Sequence, residues 1–519
     1  MPIRRDDRFW FPSWPPAVPR SMDYPAQPAW WLLAKHLNRA ADRVAVRAID
    51  YRTGDETGCW TYGEVWLRAR RMAGALRRAG IRPGDRVALC LPNSVQLIAA
   101  YYGAWLAAAV VVPCDSMASD RELGQQLHDS GASLLLCEPG QRSQLAGPGI
   151  ELLSDFDGEP AHSVAPEPGD LAVLMYTGGT TGEPKGAMLT HRNVVCNTIQ
   201  FGTWYGFENS GERCISVLPL FHSGGMAGAM NVPLWAGAEL LLMERFNAPV
   251  VARAIEHYRA TRFFGVPTMY VAILEDEQAR RADFSSLRAC RTSASGLPAA
   301  VKARFDELAG HEVLAEGYGL SEASPLTHAN PPQRPRPGSI GLPISDTDAR
   351  IVDEDGQDVK AGEEGELLVR GPQVMEGYWR RPDETAQALA GGWLHTGDVA
   401  RMDGDGYFAI VDRKKEVIIS SGFKVWPREV EDVLYEHPAV ALDAVIGVPD
   451  EYRGQAIKAF VVLKPEERGH VSEDQLRTFV HDRLAPYKAP RIVEFVDELP
   501  VSHQGKVLRR ALRDQPNPE

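Results

Sequence analysis

The run Tyr176–Gly186, YTGGTTGEPKG, sets Gly178, Gly179 and Gly182 among Thr177, Thr180 and Thr181 and ends on Lys185. Glycines expose successive backbone N–H groups, and a concave row of such donors cradles phosphate oxygens. Threonine hydroxyls add donors and can ligate Mg2+, while Lys185 supplies positive charge. A phosphate-binding P-loop would read G-x-x-x-x-G-K-[ST]. Here Glu183 and Pro184 separate Gly182 from Lys185, and Gly186 follows the lysine. A P-loop ATPase or kinase, which would release the γ-phosphate, is therefore the weaker reading. Other residues are ambiguous alone. Asp398 in GWLHTGDVA can accept two ribose hydroxyl hydrogen bonds, yet an Asp in TGD is more often a turn former. His222 sits beside apolar residues in LPLFHSGGM, where a lone histidine is usually structural.

In company these segments carry more. YTGGTTGEPKG followed by AMLTHRN resembles the signature loop of the adenylate-forming superfamily, which includes acyl-CoA synthetases, aryl-CoA ligases, luciferases and peptide-synthetase adenylation domains. LPLFHSGGM, GVPTMY, SASGLP, EGYGLSEAS, GWLHTGDVA, DRKKEVIISSGFKV and PVSHQGKVLRRAL resemble its later motifs in order, so the likeness runs from about Tyr62 to Leu512. One position departs: the family often has Ser where this chain has Gly178, which removes a hydroxyl near the phosphates.

The resemblance implies roles residue by residue. The loop Thr177, Gly178, Gly179, Thr180, Thr181, Gly182 and Lys185 would cover ATP. Ser295 and Gly296 would run past the adenine with Glu316 and Gly317, and Tyr318 would stack on it. Asp398 and Arg413 would hold the ribose. Ser321 would contact the α-phosphate, and Thr177 and Glu322 would hold Mg2+. Lys506 would be the catalytic lysine, stabilising charge as a carboxylate attacks the α-phosphorus. Lys415 would be the hinge of a rotation that withdraws Lys506 and brings Gly422, Phe423 and Lys424 to the site for coenzyme A. Acyl-pocket walls would be His222, Gly224, Gly225, Met226, Gly319, Leu320 and Ala323. Most are small or apolar and none is a carboxylate, so a hydrophobic acid (fatty, aromatic or carbocyclic) is expected and an α-amino acid is not.

The implied reaction is ATP-dependent formation of acyl-AMP and pyrophosphate, then a thioester with coenzyme A. Adenylation alone, transfer to a carrier protein or partner ligase, and a non-catalytic acyl-nucleotide binder stay open as alternatives, as does a homodimer.

These residues need a scaffold. From Trp30 to Cys137, and again after the Gly/Thr run, helical stretches alternate with short apolar runs such as RVALCLP, VVVPCD, SLLLCE and TRFFGVP. This rhythm predicts an α/β fold built on largely parallel sheet. Short alternating runs with Gly/Asp turns predict a β-rich subdomain over about 338–412. A mixed α+β stretch follows, so the expected organisation is a large N-terminal domain, 1–412, and a small mobile C-terminal domain, 413–519. A chain of 519 residues is too long for one core.

Composition excludes other classes. The net charge of −13, with no long basic block, argues against nucleic acid. The seven scattered cysteines form no C-x-x-C pair, which fits a reducing, cytoplasmic setting. MPIRRDDRFWFPSWPP lacks an apolar signal core and reads as an irregular arm. LIAAYYGAWLAAAVVVP, Leu97–Pro113, is long enough to weigh as a membrane span, but it reads better as a buried helix and then a strand.

Overall fold

The computed structural model describes residues 8–138, 151–153 (backbone only), 158–177, 184–207, 211–293, 296–420, 423–450, 453–501 and 507–513. The apolar runs become parallel strands buried on both faces, as such runs require. One sheet has the order Glu151–Leu153, Leu134–Cys137, Arg86–Cys90, Val110–Pro113, Leu171–Thr177 and Lys185–Thr190. Its last two strands form an antiparallel hairpin in which Thr177 faces Lys185.

A second sheet has a parallel centre: Glu239–Leu242, Arg213–Ser216, Arg262–Gly265, Ala289–Thr292 and Leu314–Gly319. Leu326–Ala329 and Leu342–Pro343 continue one edge antiparallel, and the pair Val44–Ile49 and Glu56–Thr61 closes the other. Site segments leave the carboxyl ends of these strands, where open α/β sheets place ligands.

The long apolar run divides as its composition suggests. Ser94 caps a helix Val95–Leu106, and a separate strand Val110–Pro113 follows. The helix packs on the helix Tyr62–Arg78, where a Cβ at Gly103 would lie 2.5 Å from Met72. Among the described residues, no helix is long and apolar enough to cross a membrane.

A four-stranded antiparallel sheet follows: Asp348–Val352, Glu364–Arg370, Leu394–Met402 and Phe408–Arg413. The third strand contains the TGD segment, whose Gly397 adopts φ +70° and so bends the strand at the site. Beyond it, the long hairpin Val440–Asp450 and Gly454–Leu463 carries the helices Pro427–Tyr435 and Glu473–His481 around its own apolar core of Val430, Leu434, Val445, Val461 and Leu476. A large N-terminal domain and a smaller C-terminal one result.

The N-terminal arm is irregular in backbone but not loose. Trp14 meets Trp204 edge-on at 5.0 Å, and Trp10 meets Phe408 at 5.9 Å. The arm thus ties the helix His191–Trp204 to the antiparallel sheet. Removing a buried aromatic leaves a cavity that the rigid partners cannot fill. Trp14→Ala is therefore expected to destabilise the large domain by about 3–5 kcal/mol. A clearly lowered thermal midpoint and protease cleavage of the arm check this; an unchanged midpoint contradicts it.

Candidate active site

The hairpin of Leu171–Thr177 and Lys185–Thr190 holds the two ends of the Gly/Thr loop. Tyr176 anchors one arm, its hydroxyl donating to Asp129 Oδ2 at 2.6 Å. Lys185 lies over the Tyr378 ring at 5.3 Å, with its Nζ 3.7 Å from Glu384. The loop residues Gly178, Gly179, Thr180, Thr181 and Gly182 lie outside the described residues.

Both hairpin strands pack against a short turn, Ser321–Ala323. The turn follows the strand Leu314–Gly319, and Met375 N–H donates to Glu322 O at 2.8 Å to hold it. Tyr378 Oη donates to the Glu322 carboxylate at 2.8 Å. Ser321 Oγ and Ser223 Oγ lie 3.1 Å apart, which joins the turn to the histidine-bearing segment. Tyr378 thus bridges Glu322 and Lys185. Sequence reasoning missed it because an aromatic after Gly377 carries no chemical signal until the fold brings it to a carboxylate.

The antiparallel sheet supplies the facing wall. Asp398 is 6% exposed and stands opposite Arg413 in register, with Arg413 Nε 3.4 Å from its carboxylate. Tyr318 Oη donates to the same carboxylate in a short contact. Tyr318, Asp398 and Arg413 therefore meet although they are far apart in sequence. Their meeting makes the TGD aspartate more than a turn former.

Behind this wall lies Glu316, 6% exposed. Its carboxylate accepts from Leu297 N–H at 3.4 Å and stands 3.7 Å from Arg428 of the small domain. Burial raises its pKa to about 7, and Arg428 only partly opposes this. The Arg428 guanidinium also covers Gly296, where a Cβ would be 2.3 Å from it. The small domain thus touches the segment assigned to the adenine.

The acyl-side residues come together at one place. His222 N–H bonds Pro219 O at 3.1 Å, and Met226 N–H bonds His222 O at 2.7 Å. Gly225–Asn231 then runs on as a wide π-helical turn, missed in sequence because its apolar small residues lack periodicity. Gly225 and Gly319 have no room for a side chain: a Cβ would be 1.9 Å from Pro219 O and 2.2 Å from Pro325 O. Gly225 and Gly319 are therefore required by close packing. Asn93 orders the segment, bonding Leu218 O, Met243 O and Leu220 N–H. Met226 and Ala323 are fully buried, while His222, Gly224 and Leu320 are half-buried.

The remaining assignments lie apart. Lys415 is exposed in the turn between Phe408–Arg413 and Ile418–Ser420. Phe423 stacks on Tyr487 at 4.5 Å, and Lys424 pairs with Glu354 at 3.2 Å. Ser295, Gly422 and Lys506 lie outside the described residues. Among the described residues no group of three or more His, Cys, Asp or Glu side chains forms a metal cage. A carboxylate on the turn, Glu322, and a hydroxyl on the strand packed against that turn, Thr177, are oxygen donors of the kind Mg2+ takes alongside phosphates and water.

The fold sets Tyr318, Asp398 and Arg413 together, and joins the Ser321–Ala323 turn to the histidine-bearing segment. Comparison with known proteins identifies the family. A profile described as "AMP-binding enzyme" matches residues 33–379, and one described as "AMP-binding enzyme C-terminal domain" matches 429–506. The chain belongs to the AMP-binding enzyme family and is an AMP-forming acid–CoA ligase. It is 37% identical to a long-chain-fatty-acid–CoA ligase of Bacillus subtilis, over 98% of both chains. It is 40% identical to a feruloyl-CoA synthase of Amycolatopsis, over 87% of this chain and 93% of that one. Among solved structures, the anthranilate CoA ligase AuaEII in complex with anthranoyl-AMP matches with TM-score 0.86 and 29% identity, covering 94% and 97% of the chains. A benzoate CoA ligase from Burkholderia xenovorans matches with TM-score 0.85 and 29% identity, covering 94% and 100%.

Glu316 yields a prediction with a definite sign. Its folded pKa lies above the ordinary 4.5, so the neutral form suits the fold. Its favourable contribution is complete below pH 4.5 and is lost as pH rises toward about 7. Glu316→Gln keeps the neutral form at every pH. The variant's stability advantage in thermal melts should grow over that window, by up to about 3 kcal/mol, and then level off. Parallel melting curves across the window contradict the assignment.

Proposed function

We propose that this chain activates a carboxylic acid with an apolar body as its acyl-AMP, then transfers the acyl group to coenzyme A. The observation that carries the reading is the convergence of Tyr318, Asp398 and Arg413 on one wall, with Ser321, Glu322 and Lys185 beside it. In this reading Tyr318 presents its ring to the purine, while the Asp398 carboxylate and Arg413 receive the ribose hydroxyls. Thr177 and Glu322 would hold Mg2+, which supplies neutralisation of phosphate charge when bound. Tyr378 fixes the Glu322 carboxylate, and Ser321 donates to the α-phosphate. The Gly/Thr loop and Lys185 cover the β- and γ-phosphates and release them as pyrophosphate.

The acid needs no base, because a carboxylate is already ionised at neutral pH. His222 instead lines its entry. Lys506 places an ammonium where negative charge grows as the carboxylate attacks, a contribution worth about 10²–10³ in rate for comparable preorganised donors. The hinge belongs at Lys415, and the mobile small domain follows it. Rotation there removes Lys506 and delivers Gly422, Phe423 and Lys424 for the thiol. Coenzyme A is preferred over a carrier protein because the relatives are CoA ligases over nearly their whole length. The absence of disulfides among the described cysteines supports a reducing, cytoplasmic site of action.

Acid-dependent exchange of labelled pyrophosphate into ATP, over fatty and aromatic acids, tests the reading. Exchange without coenzyme A is expected. ADP and phosphate as products overturn it. Lys506→Ala should lose exchange by about 10²–10³ and still convert pre-made acyl-AMP to the thioester. Equal loss of both half-reactions in a folded variant contradicts the two-position account.

A further inference from the structure

The small domain carries an open groove of about 700 Å³, and none of its lining residues belongs to the wall of Tyr318, Asp398 and Arg413. Ser420 pairs with Gly454 across strands, which sets the hairpin of Ile418–Ser420 and Phe423–Val425 beside Arg453. Phe423 and Arg453 line the groove with Arg477, Tyr487 and Arg491. Phe423 and Tyr487 stack on each other, yet they stay 52% and 41% exposed. Aromatic rings usually give up most of their surface to the core. Here the pair leaves a broad outer face to solvent.

Arg491 is held in place at its backbone. Its N–H donates to Ile457 O at 2.9 Å, and its O accepts from Arg477 Nη1 at 3.0 Å. Arg477 also pairs with Asp474, and Arg453 stands 4.0 Å from Asp450. The Arg491 side chain is exposed and has no such partner among the described residues. The whole chain carries −13, so three arginines against one lining carboxylate, Asp474, reverse the sign locally. An aromatic face beside a fixed guanidinium is the combination that receives a base and its phosphates.

The groove for ATP lies elsewhere, on the large domain. The other substrate of the reaction also ends in a nucleotide: coenzyme A carries an adenosine with a 3′-phosphate and a diphosphate at the far end of its thiol arm. The groove starts at Ser420 and Phe423, which flank Gly422 in the segment read above as meeting the thiol. We propose that this groove binds the phosphorylated adenosine end of coenzyme A, with the purine on the Phe423–Tyr487 face and the 3′-phosphate on Arg491. This rests on the ligase reading above and specifies how its acceptor is recognised. A phosphopantetheine borne by a carrier protein has no adenosine to fill the groove, so the groove selects free coenzyme A.

The thioester half-reaction tests it, run with the acyl-AMP of whichever acid gives the fastest pyrophosphate exchange. The acceptors are coenzyme A, dephospho-coenzyme A and pantetheine. For the wild-type enzyme kcat/KM should fall at each step of that series. Arg491→Ala should raise KM for coenzyme A on the order of tenfold, keep kcat, and erase the advantage over dephospho-coenzyme A. Arg491→Lys should keep part of that advantage. Tyr487→Ala should raise KM for both nucleotide acceptors and not for pantetheine. Pyrophosphate exchange, which uses no coenzyme A, reports that each variant is folded. Adenosine 3′,5′-bisphosphate should compete with coenzyme A in the wild type and far less in Arg491→Ala. Equal use of coenzyme A and dephospho-coenzyme A by the wild type, or inhibition by inorganic phosphate as strong as by the bisphosphate, overturns the proposal and leaves the ligase reading standing. Exchange without any thioester from coenzyme A overturns both.

Discussion

The pairing of Asp398 with Arg413 is the constraint on which the site depends. Both sit on one antiparallel hairpin, in register, with Asp398 buried and also accepting from Tyr318. A buried carboxylate persists only when such partners hold it. The same hairpin runs within two residues of Lys415 and then into the small domain. The residues proposed to hold the ribose and the proposed hinge therefore share one stretch of backbone.

Charge also links the two domains through Arg428. Arg428 reaches from the small domain to Glu316 and over Gly296, and its own backbone N–H bonds Asp412 at 3.0 Å. Asp412 and Asp432 are raised by burial, while Arg509 pairs with Glu431 at 2.7 Å. Buried ion pairs of this kind contribute little net stability but penalise the wrong arrangement heavily.

Much of this was legible in the sequence. The apolar runs RVALC, VVVP and LLLC could only be buried parallel strands, and the Leu97–Pro113 run divided at its β-branched end. The family motifs named candidate residues, and the fold brings Tyr318, Asp398 and Arg413 together. What escaped was what depends on tertiary approach. Leu394–Met402 reads as a turn around TGD but is held as a strand by neighbours on both sides. GVPTMY begins at the end of the strand Arg262–Gly265, and its remainder opens the helix Pro267–Glu275. Tyr378 carries no local signal at all; it gains meaning only from the carboxylate that the fold sets beside it.

The central claim is that the acid passes through an adenylate. A single-turnover reaction, quenched after mixing enzyme with ATP and acid but no coenzyme A, measures it most directly. The account predicts enzyme-bound acyl-AMP in proportion to pyrophosphate, consumed with release of AMP when coenzyme A is added. Phosphate and ADP in place of pyrophosphate and acyl-AMP would contradict it.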